Sequence, residues 1–232
     1  MKKLKKCLAL FVAGVCLLSS LTGCRKAASV IVTSMVQWNM DAVYLGKYDE
    51  TWIKMVETTK EQCEEDYLTG LEAEAEYFCY YWGITDDYVA YTDLNEEFRS
   101  TVVELLKEIY SHSKYEIQSA VAQGSDSYAV KVIVEPIDIM DQVNNSYDTA
   151  SVLSAFWEKY TDEDINNMTD EEYIAFSMEY GNIILYLVHE QLDNIGYMDA
   201  KTQTVQVELV NDTWTINNDD FIVFDSYIIY YP

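Results

Sequence analysis

Residues 114–136 have the sequence KYEIQSAVAQGSDSYAVKVIVEP, in which two alternating runs flank a glycine turn. The first run alternates at Tyr115, Ile117, Ser119 and Val121, and the second at Tyr128, Val130, Val132 and Val134. A period of two residues on either side of a turn at 124–127 predicts an antiparallel β-hairpin with one buried face. Pro136 is expected to end the second strand, because proline has no backbone N–H for the ladder.

Helical periodicity dominates the chain on both sides of this hairpin. Apolar residues recur every three or four positions in 28–45, 63–82, 94–109, 148–160 and 169–194, which predicts helices there. Thr59 and Thr169 have the spacing of N-caps with a Gln or Glu three residues later, and Asp93 is the predicted N-cap of the middle segment. Gly83 is expected to stop the helix that Thr59 begins.

A second hairpin is predicted near the C-terminus. Residues 202–210 and 213–216 alternate around Asn211-Asp212, with Trp214 and Ile216 on one face. Residues 218–232 are too apolar to be loose, but their pattern fits a strand as well as a helix. The predicted fold class is therefore α+β: N-terminal helices packed on a curved antiparallel sheet of about four strands, with a helical insertion between the two hairpins.

The N-terminal segment has the parts of a secretion signal. Four lysines precede a run of about 11 apolar or small residues, which is too short to span a bilayer. The run ends in Leu21-Thr22-Gly23-Cys24, which resembles the lipobox of bacterial lipoproteins. The resemblance implies cleavage before Cys24, lipid attachment to its sulfur, and a location on the extracytoplasmic face of the cell membrane. The predicted organisation is a signal peptide at 1–23, a lipid-anchored tether at 24–27 and one α+β domain at 28–232, bound to the bilayer through Cys24.

The mature chain is strongly acidic. Loss of residues 1–23 removes four of the 15 basic side chains and none of the 40 acidic ones, which leaves a net charge of −29. Such a field repels nucleic acid and anionic headgroups, so we expect no nucleic-acid partner. The interpretation we favour is an acidic surface that keeps the protein soluble, with a cationic ligand or an envelope protein as the alternative partners besides the bilayer.

No catalytic or metal-binding motif stands out. The two histidines are His112, interpreted as a cap at a helix end, and His189, whose surrounding sequence lacks the second histidine of a zinc-protease helix. Residues 162–170 resemble the start of a calcium loop but lack its glycine and its final glutamate, so their aspartates are interpreted as helix-start residues. Cys63 and Cys79 are expected to be buried free thiols rather than a disulfide. We therefore expect no cofactor and no metal site.

Residues 114–117, 128–136 and 212–216, in this order among helices, give the body a resemblance to uncharacterised lipoproteins of Gram-positive bacteria whose α+β fold is similar to the nuclear-transport-factor-2 superfamily. The leading hypothesis is a non-catalytic binding or interaction domain with a pocket lined by Tyr115, Tyr128, Trp157 and Trp214. The alternative is an extracytoplasmic hydrolase or isomerase that uses buried carboxylates. A third hypothesis is a lipoprotein that recruits envelope proteins through an exposed apolar patch.

Overall fold

The computed structural model describes residues 25–210 and 213–232. The predicted signal peptide, Cys24 and the predicted turn at Asn211-Asp212 lie outside the described residues. The helices are α1 (Arg25–Leu45), α2 (Glu50–Met55), α3 (Lys60–Tyr81), α4 (Glu96–Ser111), α5 (Ile139–Asn145), α6 (Tyr147–Trp157), α7 (Asp162–Asn166), α8 (Asp170–His189) and α9 (Asn218–Asp225). The strands are β1 (Lys114–Ile117), β2 (Val121–Ala122), β3 (Ser127–Glu135), β4 (Lys201–Val210) and β5 (Thr213–Ile216). Of the helices in these two ranges, none is both long and apolar enough to cross a bilayer.

The strands form one curled antiparallel sheet in the order β1-β3-β4-β5, with β2 also paired to β3. The predicted α+β class is confirmed, including the N-terminal helices and the helical insertion between the hairpins. Strand β3 is the centre of the sheet, and its inward side chains Tyr128, Val130, Val132 and Val134 are at most 5% exposed. Helix α1 packs against this sheet, and the core fills the space between the sheet and helices α1, α3 and α4.

The first hairpin contains a β-bulge that the alternating pattern did not predict. Tyr115 pairs with Val134, but Val121 pairs with Ala129, so one extra residue lies between β1 and β2. The inward positions therefore shift by one: Ala120 is 6% exposed, whereas Val121, expected on the buried face, is 64% exposed. Helix α1 satisfies the backbone at this point, because Thr33 Oγ1 accepts a hydrogen bond from the Ala120 N–H at 2.9 Å.

Two of the predicted helix starts are confirmed and one is wrong. Thr59 and Thr169 cap α3 and α8, and Thr169 forms a reciprocal capping box with Glu172. Helix α4, however, begins after Asn95, whose Oδ1 accepts from the Phe98 N–H at 2.8 Å. Asp93 instead closes the preceding 3₁₀ turn by accepting from the Ala90 N–H. Asparagine two residues later offers the same capping chemistry, and the local pattern does not distinguish the two positions.

The insertion between the hairpins begins with α5, which the sequence pattern did not reveal. Helix α6 then ends at Trp157 and α8 at His189, so both are shorter than predicted. The aspartates of the calcium-like segment lie at helix starts, as expected. At the start of α7, Asp164 Oδ2 accepts hydrogen bonds from the Thr161 N–H at 2.9 Å and from the Thr161 hydroxyl at 2.6 Å.

The C-terminal segment, which the sequence left open between strand and helix, contains both kinds of structure. Helix α9 packs next to β4. After it, Ile229 forms an isolated parallel bridge with Ile137 at the beginning of the insertion. Ile228 and Ile229 are each 1% exposed, so this segment completes the core beside the first hairpin.

Candidate functional site

The structure brings together two of the four predicted pocket residues. Tyr128 on β3 and Trp214 on β5 meet edge to face with ring centroids 5.4 Å apart. Both side chains are almost fully buried, at 5% and 4% exposed. Their contact therefore fastens β5 to the central strand and belongs to the hydrophobic core.

Tyr115 lies at the other end of the sheet. Its pairing partner Val134 is six residues from Tyr128 along β3, which is about 20 Å at the usual rise of a strand. The Tyr115 hydroxyl donates to Asp41 Oδ1 at 2.7 Å. Burial, followed by this carboxylate, raises the pKa of Tyr115 far above its usual value, so the phenol remains a donor. Both residues line a cavity of about 470 Å³ beside α1.

Trp157 belongs to an aromatic cluster in the insertion. It contacts Phe156, Phe176 and Tyr180, with ring centroids 5.3–5.9 Å apart. Its side chain is 46% exposed, whereas Phe156 is 1% exposed. The cluster joins α6 to α8, so the structure places Trp157 in the insertion and apart from the other three predicted pocket residues.

Among the described residues, two carboxylates are buried, as the alternative enzyme hypothesis requires, but both accept hydrogen bonds from tyrosines. Tyr231 donates to Glu74 Oε1 at 2.7 Å, and Tyr44 donates to Asp225 Oδ1 at 3.1 Å. Glu74 is 2% and Asp225 5% exposed. Burial raises the pKa of both phenols well above the usual value, which keeps them as donors. Neither carboxylate lines the cavity beside Tyr115 or the groove between α4 and α8.

A long groove lies between α4 and α8, and none of the sequence motifs predicts it. The two helices meet where Phe98 packs on Gly181, a position at which an added Cβ atom would lie only 2.5 Å from Phe98 Cζ. Beyond this contact the helices leave between them a cavity of about 1050 Å³ that is open to solvent. We call it the α4–α8 groove.

The walls of the α4–α8 groove are two polar stripes. On α4 the stripe contains Glu97, Thr101, Glu104 and Glu108; on the other side it contains Asn182, Tyr186, His189 and Asp193. Each stripe has steps of four, three and four residues. The first follows one face of α4 for about 16 Å, whereas the second follows one face of α8 for about 10 Å, from Asn182 to His189, and continues to Asp193 in the 3₁₀ turn after the helix. Leu105 and Leu185, which are 7% and 6% exposed, form the floor, and half-buried Leu192 also lines the groove.

The charge of the groove is negative. Glu97, Glu104, Glu108 and Asp193 supply four carboxylates. Lys107 Nζ lies 3.7 Å from Glu104 Oε1, and His112 Nε2 lies 3.7 Å from Glu108 Oε1. Because these side chains are exposed, such contacts offset little of the negative charge of the groove. Because both stripes run from the Phe98 contact toward the C-termini of their helices, the negative ends of two helix dipoles lie at the same end of the groove. This arrangement attracts cations.

A sequence signal for this groove exists. The stripe of α4 lies next to the apolar stripe used to predict the helix, and its glutamates recur at helical spacing. Acidic residues are so frequent in the chain that this periodicity does not stand out. Which helix lies opposite α4 depends on tertiary packing, in particular on the absence of a side chain at Gly181, and no local pattern contains that information.

Both histidines lie at the C-terminal ends of helices. His112 is the C-cap residue of α4, as predicted, and its carbonyl accepts from the Tyr197 hydroxyl at 2.9 Å. His189 lines the groove near the end of α8.

Cys63 and Cys79 are free and buried, which confirms the expected thiols. Burial raises the pKa of Cys79 to about 12. Within 25–210 and 213–232, no group of three or more His, Cys, Asp or Glu side chains is arranged to hold a metal ion.

Comparison with known proteins supports the fold. The chain is similar to the crystal structure of a candidate lipoprotein, ycdA, from Bacillus subtilis, with a TM-score of 0.51 and 15% identity. The similarity covers 90% of this chain and 60% of the Bacillus chain, so this chain spans less than two thirds of that protein's length. No protein-family model matches the chain, and no curated protein matches it. At this identity the likeness shows the fold alone.

Proposed function

We propose that this protein is a lipid-anchored lipoprotein on the extracytoplasmic face of the cell membrane, and that it binds a cationic, partly apolar partner in the α4–α8 groove. The lipobox-like segment 21–24 supports the anchor, and the description of the Bacillus neighbour as a candidate lipoprotein agrees with it. We also propose that the body is related to the nuclear-transport-factor-2-like domains, which is supported by the curled sheet with helices packed on it.

The observation that carries the binding proposal is the combination of an apolar floor with acidic walls. A groove of carboxylates alone suits small hydrated cations, and an apolar groove alone suits neutral ligands. Here Leu105 and Leu185 form the floor, and Glu97, Glu104 and Asp193 are among the residues of the rim. A partner that gains from both surfaces must present apolar and positively charged groups side by side.

The anchor is tested by Cys24→Ser. This variant removes the sulfur that takes the lipid, so it should leave the membrane fraction and incorporate no labelled fatty acid. Cys63→Ser is the matched control, because Cys63 is buried in α3 and its replacement leaves the anchor intact. A Cys24→Ser protein that remains with the membrane and incorporates lipid contradicts the anchor.

The groove is tested by Glu104→Gln/Glu108→Gln. Both side chains are more than half exposed, so the variant should fold normally. It should bind lysine-rich amphipathic peptides about tenfold more weakly than the unaltered protein. Glu76→Gln/Glu158→Gln changes the net charge equally at exposed positions outside the groove and should bind as the unaltered protein does. Equal binding by both variants contradicts the proposed site.

A further inference from the structure

We infer that the partner in the α4–α8 groove is an amphipathic α-helix of another protein, with an apolar stripe flanked by lysine or arginine. This inference rests on the proposed function and specifies its partner. Four features of the groove support it: its length, its walls, its chemistry and its size.

The length of the groove matches a helix. Residues 97–108 extend about 16 Å along α4, which equals three helical turns. On the other side, residues 182–189 extend about 10 Å along α8, and Leu192 and Asp193 continue this wall beyond the end of the helix. A bound helix of that length presents apolar side chains at positions i, i+3 or i+4, and i+7 to the floor, as helices bound in grooves do. Its flanking positions then face the two acidic stripes.

The walls of the groove favour a helix over an extended peptide. Both walls belong mainly to helices, whose backbone N–H and C=O groups are hydrogen-bonded within α4 and α8. An extended segment laid between them finds no backbone hydrogen-bond partners on either wall, so the groove offers it none of the main-chain bonds by which sheet edges bind peptides. A helix satisfies its backbone internally and requires only side-chain contacts.

The lining chemistry and the size disfavour a small ligand. A metal ion needs several ligands at one point, whereas the carboxylates here are spread along the groove. A polyamine offers the leucine floor only a single methylene chain, which covers less of it than a row of apolar side chains does. The volume of about 1050 Å³ lies at the upper limit of small-molecule pockets, and the groove is open along its length.

Tyr186 marks the centre of the predicted contact. It stands on α8 between Asn182 and His189 and is 57% exposed, so its ring is available to a partner. Tyrosine is enriched among the residues that contribute most to protein interfaces. Tyr147, on the first turn of α6 and 85% exposed, offers a matched control outside the groove.

The test measures binding to the full lipidated protein in nanodiscs of zwitterionic lipid, which avoids attraction of the probe to the bilayer. The first probe is a peptide of about 18 residues with a leucine stripe flanked by lysines, long enough to form a helix on binding. The second has the same composition in scrambled order, and the third is spermine. Binding is followed by fluorescence anisotropy, and the helix content of the peptides by circular dichroism.

We expect the patterned peptide to become helical and to bind at least tenfold more tightly than the scrambled peptide. Tyr186→Ala and Glu104→Gln/Glu108→Gln should each weaken its binding about tenfold, whereas Tyr147→Ala should not. If the scrambled peptide or spermine binds as tightly and responds equally to the groove variants, the helix inference is wrong and the cation-binding groove remains. If no probe binds, or if binding ignores the groove variants, the proposed function itself is wrong.

Discussion

Replacement of Gly181 by alanine tests the helix contact that forms the α4–α8 groove. Gly181 lies inside α8, where alanine is ordinarily favoured over glycine by about 1 kcal/mol. The added Cβ atom, however, would lie 2.5 Å from Phe98 Cζ, 2.9 Å from Phe98 Cε2 and 3.1 Å from Ile84 Cγ2. Helix propensity and packing therefore predict opposite signs for the change in stability.

The packing effect should exceed the propensity effect. Phe98 is 5% exposed and Ile84 is 1% exposed, so neither side chain can turn away into solvent. Inserting a methyl group into such a contact costs about 1–3 kcal/mol, which leaves a net loss of about 0–2 kcal/mol after the gain in propensity. A loss of about 1 kcal/mol lowers the melting temperature of a chain of this size by about 2–4 °C.

The assay is thermal unfolding of the full chain in mild detergent, followed by tryptophan fluorescence. Gly181→Ala should lower the melting temperature of the unaltered protein. In a Phe98→Leu background the ring atoms that the new Cβ atom would meet are absent. There Gly181→Ala should raise the melting temperature, because the higher helix propensity of alanine is no longer opposed by the clash. A rise of about 2–4 °C for Gly181→Ala alone would refute the close contact between α4 and α8.

Three further predictions concern the fold. Asn95→Ala removes the N-cap of α4 and should reduce the free energy of unfolding by about 0.5–2 kcal/mol in thermal scans; no change contradicts that helix start. Ala120→Asp should destabilise strongly and Val121→Asp should change stability by less than about 0.5 kcal/mol, whereas equal losses contradict the bulge. Burial raises the pKa of Tyr110 well above its usual value of 10.0, so the neutral phenol contributes fully to the free energy of unfolding below pH 10, and this contribution is lost as the pH rises above 10. Tyr110→Phe should reduce this alkaline loss in urea titrations, and an unchanged loss contradicts the burial.

Regular patterns in the sequence predicted much of the fold. The buried side chains of β3 occupy every second position without interruption, so periodicity alone identifies the strand. Thr59 and Thr169 were identified as caps because side chain and helix start are adjacent in sequence. These predictions succeeded because each depends on interactions within a few residues.

The remainder depends on contacts between distant segments. The bulge at Ala120 is supported by Thr33 of α1, 87 residues away, and no local pattern records this partner. The α4–α8 groove likewise depends on Phe98 meeting Gly181. Tyr115 and Trp157 were assigned to one pocket because of their residue type, but the first lies at the end of the sheet and the second in the insertion. Residue type indicates what a side chain can bind, whereas topology determines which side chains meet.

Attachment of this acidic body to a membrane is the central claim, and the mass of the mature N-terminus tests it most directly. The protein is isolated from membranes of its native host, digested, and its N-terminal peptide is analysed by mass spectrometry. We expect the peptide to begin at Cys24 and to have diacylglycerol on its sulfur and an acyl group on its amine. A peptide that retains Met1, with an unmodified thiol at position 24, would contradict the claim.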